Sequence, residues 1–149
     1  MSYHYTDCGL DNIWLQNGFK EIKTPYGKAT SVQDVVELHR AIGGLLIAMP
    51  KPLNGAELRF IRLEMDMTQK NLGGIIGAEE QAVRRWEKAR KKAINGSADL
   101  LLRALYGEYL HGDGSVRRMV DKLASLDQIE VPKITFKETE KGWQSNFDA

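Results

Sequence analysis

The chain has 149 residues, of which 42% are hydrophobic and 28% charged, with a formal net charge of +1. Those are globular proportions for one domain or two small ones, and they exclude a disordered or fibrous protein. A single cysteine, Cys8, excludes an intrachain disulfide and a multi-cysteine zinc site.

Residues 3 to 32 read as β. Ile13-Trp14-Leu15-Gln16 and Phe19-Lys20-Glu21-Ile22-Lys23-Thr24 flank Asn17-Gly18. An Asn-Gly pair between two β-rich runs predicts a hairpin, to which Lys28 to Val32 adds a third strand. A helix follows, with Val35, Leu38, Ile42 and Leu45 as its apolar stripe. Met49-Pro50-Lys51-Pro52 breaks it, because proline removes backbone donors and biases the preceding residue to extended conformations. The break is read as a domain boundary, giving units at 1–50, 54–111 and 112–149.

The central unit opens with Asn54 and, three residues later, Glu57, the spacing of a capping box. Leu58, Ile61 and Met65 line a first helix. Thr68 caps a second, which contains Leu72, Ile75 and Ile76 and stops at Gly77. A third runs from Glu79 to Lys88 with Val83 and Trp86 inward. Ser97 is expected to cap a fourth, with Ala98, Leu101, Leu102, Leu105 and Tyr109 on its apolar face. A fifth helix carries Val116, Met119, Val120, Leu123 and Leu126. The alternation in Val131 to Glu138 predicts a strand, which must find a sheet, and the amino-terminal β unit, of its own chain or of its partner in a dimer, is expected to receive it. The fold class is therefore α+β: mainly α, a central five-helix domain, an amino-terminal hairpin-and-helix unit and a carboxy-terminal strand.

The charge is unevenly distributed. Gln81 to Asn95 holds Arg84, Arg85, Lys88, Arg90, Lys91 and Lys92 against Glu87 alone. A basic stripe on a body that is otherwise acidic is the footprint of a polyanion-binding face, or else a solvated helix.

Two short helices joined at a glycine, the second of them basic, form a helix-turn-helix pattern. The run Met67-Thr68-Gln69-Lys70-Asn71-Leu72-Gly73-Gly74-Ile75-Ile76-Gly77 is followed, after five residues, by Val83-Arg84-Arg85-Trp86-Glu87. It resembles the Xre/Cro phage-repressor family over Asn54 to Tyr109. Gly73 and Gly74 depart from that pattern, standing where alanines are usual, and Ala89 stands where a glycine often follows Trp-Glu. The resemblance implies a cytoplasmic, sequence-specific DNA-binding regulator, a repressor acting as a homodimer on double-stranded DNA. It places Glu80, Gln81 and Arg85 at base-contacting positions, with Arg84 beside them reaching a base or a phosphate and Lys88 reinforcing the field. It gives Gln69 a phosphate at the start of the second helix, and pairs Arg62 with Glu87 as a buried lock between helices. The overall layout resembles two-domain antitoxins, which would add a toxin-like partner protein held by the amino-terminal part; the zinc cysteines of those proteins are missing here.

Each residue also has a structural reading. Glu80 favours any helix amino terminus and Gln81 can face water, so both readings stay open for them. Arg90, Lys91 and Lys92 are phosphate contacts or a solvated loop. His4, His39 and His111 share no metal-ligand spacing, and the glycine pairs lack a phosphate-loop pattern. No catalytic residue, metal or cofactor is expected. The ten-residue apolar run Ala41 to Pro50 is too short for a membrane span, and the opening residues lack a basic-then-apolar leader, so a cytoplasmic protein without membrane attachment is expected.

Overall fold

A computed structural model describes residues 2–119 and 133–145. The architecture is α+β, with helices dominating and, among the described residues, strands in three two-stranded antiparallel sheets. β1 (Tyr3–His4) pairs with β2 (Trp14–Leu15), and β3 (Phe19–Thr24) with β4 (Gly27–Val32). The expected hairpin around Asn17-Gly18 is thus not formed. Gly18, at φ 79°, instead hands the chain from one sheet to the next. The competing turn is Pro25-Tyr26, which closes a six-pair ladder from Thr24↔Gly27 to Phe19↔Val32. Thr24 Oγ1 locks it by accepting from the Tyr26 N–H at 3.2 Å and donating to the Gly27 carbonyl at 2.7 Å. β2, only two residues long, could not match that ladder.

α1 (Val35–Ala48) keeps the expected period but is rotated. Ile42, Gly43 and Leu46 are buried, whereas Leu45 is 60% exposed and Val35 40%. The rotation follows from packing on both α2 and α5, which favours the 42/46 edge over the 35/45 edge. α2 (Gly55–Glu64) carries the expected capping box: Asn54 Oδ1 accepts from the Glu57 N–H at 2.9 Å, and Glu57 Oε1 from the Asn54 N–H at 3.0 Å. α3 (Gln69–Ile76) is capped by Thr68 and ends at Gly77, whose φ of 74° suits glycine. α4 spans Glu80–Lys88 and α5 Gly96–His111. Asn95, not Ser97, caps α5, accepting from the Ser97 and Ala98 N–H groups at 2.9 and 3.2 Å. Its buried face also drifts from the expected one: Tyr106 and Leu110 are inside and Tyr109 is half-exposed.

Residues 115–119 begin the expected fifth helix; its continuation to Leu126 lies outside the described residues. The tail forms its own sheet, β5 (Phe136–Thr139) against β6 (Gly142–Ser145), rather than a strand on the amino-terminal unit of the same chain. The cause is a second copy of the Thr-x-x-Gly turn. Thr139 Oγ1 accepts from the Lys141 N–H and donates to the Gly142 carbonyl. The start of the expected strand, Val131 and Pro132, falls outside the described residues.

One core joins Tyr5 and Leu10 of the amino-terminal loops, Ile42 and Leu46 of α1, and Leu58, Ile61, Leu72, Val83, Leu102 and Tyr106 of the other helices. It runs across the Met49–Pro52 break. Arg103 of α5 pins that segment by donating to the carbonyls of Ile47 (3.0 Å), Met49 (2.9 Å) and Lys51, while Asp99 holds Arg103 at 2.5 Å and accepts from the Leu53 N–H at 2.8 Å.

Candidate nucleic-acid interface

α4 is an outward-facing basic helix held from behind at three places. Its middle is anchored by Val83, fully buried, with Trp86 partly buried beside it. Its end is pinned by Glu87, 5% exposed at the side chain, in a two-bond fork with Arg62 of α2: Nε to Oε2 at 2.7 Å and Nη2 to Oε1 at 2.8 Å. Arg62 Nη1 also donates to the Met67 carbonyl at 2.8 Å, tying the α2–α3 turn into the same lock. Such planar pairing needs arginine, because only its guanidinium matches a carboxylate at two points. The third anchor is steric. A Cβ on Gly55 would lie 2.8 Å from the Ala89 carbonyl oxygen and closer still to that of Trp86, so α2 reaches the end of α4 through glycine alone. The Gly55 and Ala56 N–H groups then donate to the carbonyls of Lys92 and Arg90 at 3.2 and 3.1 Å.

With the back fixed, the front follows from helical spacing. Gln81, Arg84, Arg85 and Lys88 recur at i, i+3, i+4 and i+7 and share one exposed face. Glu80 joins it only partly, because its Oε1 accepts from Arg84 Nη2 at 3.2 Å; both are exposed, so the pair is weak and easily exchanged. Among the described residues, Arg85, Lys88, Lys91 and Lys92 have no carboxylate partner. The one acid of the stripe, Glu87, is turned inward and neutralised by Arg62. The outer face is therefore more uniformly positive than the sequence count alone conveys.

Two residues make contacts that the sequence reading did not include. Gln69, half-buried at the start of α3, donates from Nε2 to Glu87 Oε1 at 3.2 Å, so its amide extends the lock. Arg90, in the exposed turn after α4, donates to the Gly9 carbonyl at 2.5 Å and lies 3.6 Å from Asp11, tying the amino-terminal loop to the segment after α4. Sequence reading missed this tie and the Arg103 network. The carbonyls they reach leave no local signal, being 81 and more than 50 residues away in the chain; only the Asp99–Arg103 pair, at i,i+4, was open to sequence reading.

Side chains suited to other chemistry are engaged elsewhere. His4 stacks on Trp14 at 4.3 Å and bonds the Asp11 carbonyl, and His39 sits between Tyr5 and Glu64. Burial pushes the Cys8 thiol above its ordinary range, away from the reactive thiolate. Among the described residues no group of three His, Cys, Asp or Glu side chains is placed to hold a metal ion, and no helix is long and apolar enough to cross a membrane.

No family model, curated protein or solved structure matches the chain.

Proposed function

We propose that the protein is a sequence-specific regulator of transcription, probing double-stranded DNA with α4 in the major groove and acting as a homodimer. The observation that carries this reading is the i, i+3, i+4, i+7 face of Gln81, Arg84, Arg85 and Lys88, exposed on a helix that is locked from behind by Arg62–Glu87. Arginine donates two bonds to guanine and glutamine pairs with adenine, so Arg85 and Gln81 are the base readers. Arg84 can leave Glu80 for a base or phosphate, because an exposed ion pair is worth at most about 1 kcal/mol. Lys88, Lys91 and Lys92 supply phosphate contacts. Gln69 can serve a phosphate from its place beside Glu87, at the amino end of α3. One such module touches few base pairs, which is why two copies on half-sites a helical turn apart are expected. A homodimeric repressor confined to the cytoplasm fits this mode. The resemblance in layout to antitoxins favours no partner-binding surface in particular, so the direct regulator is the reading retained.

The test separates reading from steering. Arg85→Ala should cost about 1–3 kcal/mol on a preferred operator and relax preference at one position, with much less effect on scrambled duplex. Lys91→Ala with Lys92→Ala should weaken all sequences alike and flatten the salt dependence. Equal losses for Arg85→Ala on both duplexes would make Arg85 a phosphate contact and displace the reading face.

A further inference from the structure

The β3–β4 hairpin stands off the body. Every residue from Lys20 to Ala29 is exposed, and the ladder is held at its open end. There Phe19 lies 5.4 Å from the Tyr3 ring, Val32 packs on the core, and the Gln33 N–H donates to the Gly18 carbonyl at 2.8 Å. A two-stranded ladder with nothing packed on it is marginal in water. Its charges make this one more so. Lys23 and Lys28 are direct cross-strand partners, one pair back from the turn, and like charges so placed repel. Among the described residues Lys20, Lys23 and Lys28 have no carboxylate partner, and the hairpin's only acid, Glu21, offsets one of the three. At the turn itself Tyr26 is 99% exposed.

The tail hairpin serves as an internal comparison. It has the same Thr-x-x-Gly turn, but its pairs Lys137↔Gln144 and Glu138↔Trp143 and its turn residues Glu140-Lys141 balance their charges. The turn therefore does not demand a basic flank. Lysine on an open strand edge guards against strand addition, and single charges on either strand suffice for that. Two lysines set against each other beneath an exposed aromatic ring make a concentrated cationic tip, whose repulsion is relieved by an anion lying across it. A run of contacts leads from the root of this hairpin to the end of α4. Phe19 rests on Tyr3, the adjacent His4 bonds the Asp11 carbonyl at 2.6 Å, and Asp11 lies 3.6 Å from Arg90. Lys91 and Lys92 follow Arg90 directly. From that root, six pairs at about 3.4 Å per residue carry the tip roughly 17 Å outward.

We propose that the β3–β4 hairpin is a second DNA contact, an arm that lies on the phosphate backbone flanking the base pairs met by α4. The proposal rests on the regulator reading and extends its footprint. Lys23 and Lys28 neutralise neighbouring phosphates, Lys20 adds a third contact, and the Tyr26 hydroxyl donates to a phosphate oxygen. Contacts of this kind fix register and add affinity without carrying sequence information. The arm thus supplies binding strength, and α4 supplies the choice of site.

The experiment measures affinity of the full chain, across a salt series, for three duplexes: the selected operator with long flanks, the same motif trimmed of its flanks, and a long scrambled sequence. Lys23→Ala with Lys28→Ala should weaken both long duplexes about tenfold or more at moderate salt and lower the salt slope by about 1.8, at about 0.9 per phosphate. On the trimmed motif it should match the wild type. Lys28→Glu gives Lys23 an opposite charge across the ladder, so it should keep or raise the melting temperature while weakening the long duplexes, which separates lost binding from lost folding. Lys137→Ala with Lys141→Ala, on the tail hairpin, should change nothing. Wild-type affinity and slope in the Lys23 and Lys28 variant, with Arg85→Ala still losing operator preference, would overturn the arm and leave the reading by α4 intact. A lowered slope in a chain without sequence preference would keep the arm and remove that reading. An equal loss on the trimmed motif, or an equal loss in the tail variant, would overturn the flanking contact, and a chain that binds no duplex would overturn both.

Discussion

Removing Arg62 should damage this protein more than removing any surface arginine. An exposed ion pair contributes about 0–1 kcal/mol, but here the side chains are 10% and 5% exposed, and Arg62 gives three hydrogen bonds, two to Glu87 and one to Met67. Arg62→Ala leaves the Glu87 carboxylate buried with Gln69 alone, since Arg59 stands off at 3.9 Å on the half-exposed side. Breaking one side of such a pair costs about 3–5 kcal/mol. Arg59 can swing inward, so the lower end, about 3 kcal/mol, is expected. With a urea slope of about 1.5 kcal/mol/M, the midpoint should fall by roughly 2 M at constant slope. The paired replacement Arg62→Met with Glu87→Leu removes both charges and should recover most of the loss, because the desolvation cost disappears with the pair. A midpoint unchanged by Arg62→Ala, or a double variant no better than the single one, would refute the account of the lock.

The two adjacent glycines of α3 should part company. A Cβ on Gly74 meets nothing within 4 Å, whereas one on Gly73 would lie 2.5 Å from the Ala78 carbonyl; Gly74→Ala should therefore stabilise by about 1 kcal/mol, and Gly73→Ala should lower the melting temperature by forcing the α3–α4 turn apart. Arg103→Ala should lose about 3 kcal/mol in chemical denaturation, since it leaves Asp99 with the Leu53 N–H alone and frees the carbonyls of Ile47, Met49 and Lys51 in a largely buried network. Tyr106→Phe should gain about 1 kcal/mol by deleting an unpartnered buried hydroxyl. The same variant tests a pH effect. The wild-type phenol is raised from 10.0 to about 12 on folding, so its contribution is intact below pH 10 and lost as pH climbs from 10 to 12. The phenylalanine variant should lack that part of the alkaline decline.

Much of the central helices was legible because their signals are local. The Asn54–Glu57 box, the Thr68 cap, the Gly77 stop and the inward Val83 each depend on residues within a few positions, and each lies where the spacing put it. The errors arose where distant partners decide. Asn17-Gly18 is a good turn, but a longer ladder closed by Pro25-Tyr26 prevailed. The stripes of α1 and α5 kept their period and lost their phase, because phase is set by neighbouring helices rather than by the sequence of the helix itself. The exposed face of α4 was readable from spacing. The inward turn of Glu87 came from the family resemblance, and the diversion of Gln69 to Glu87 and of Arg90 to Gly9 required the fold.

The most direct measurement of the central claim is selection from random-sequence duplex DNA with the full chain at moderate salt. The account predicts enrichment of a two-fold symmetric motif with half-sites about one helical turn apart, and loss of preference at one position per half-site when Arg85→Ala is used instead. Failure to enrich any motif, with the protein shown to be folded by its melting transition, would contradict sequence reading by α4 and leave the basic stripe as a solvated surface.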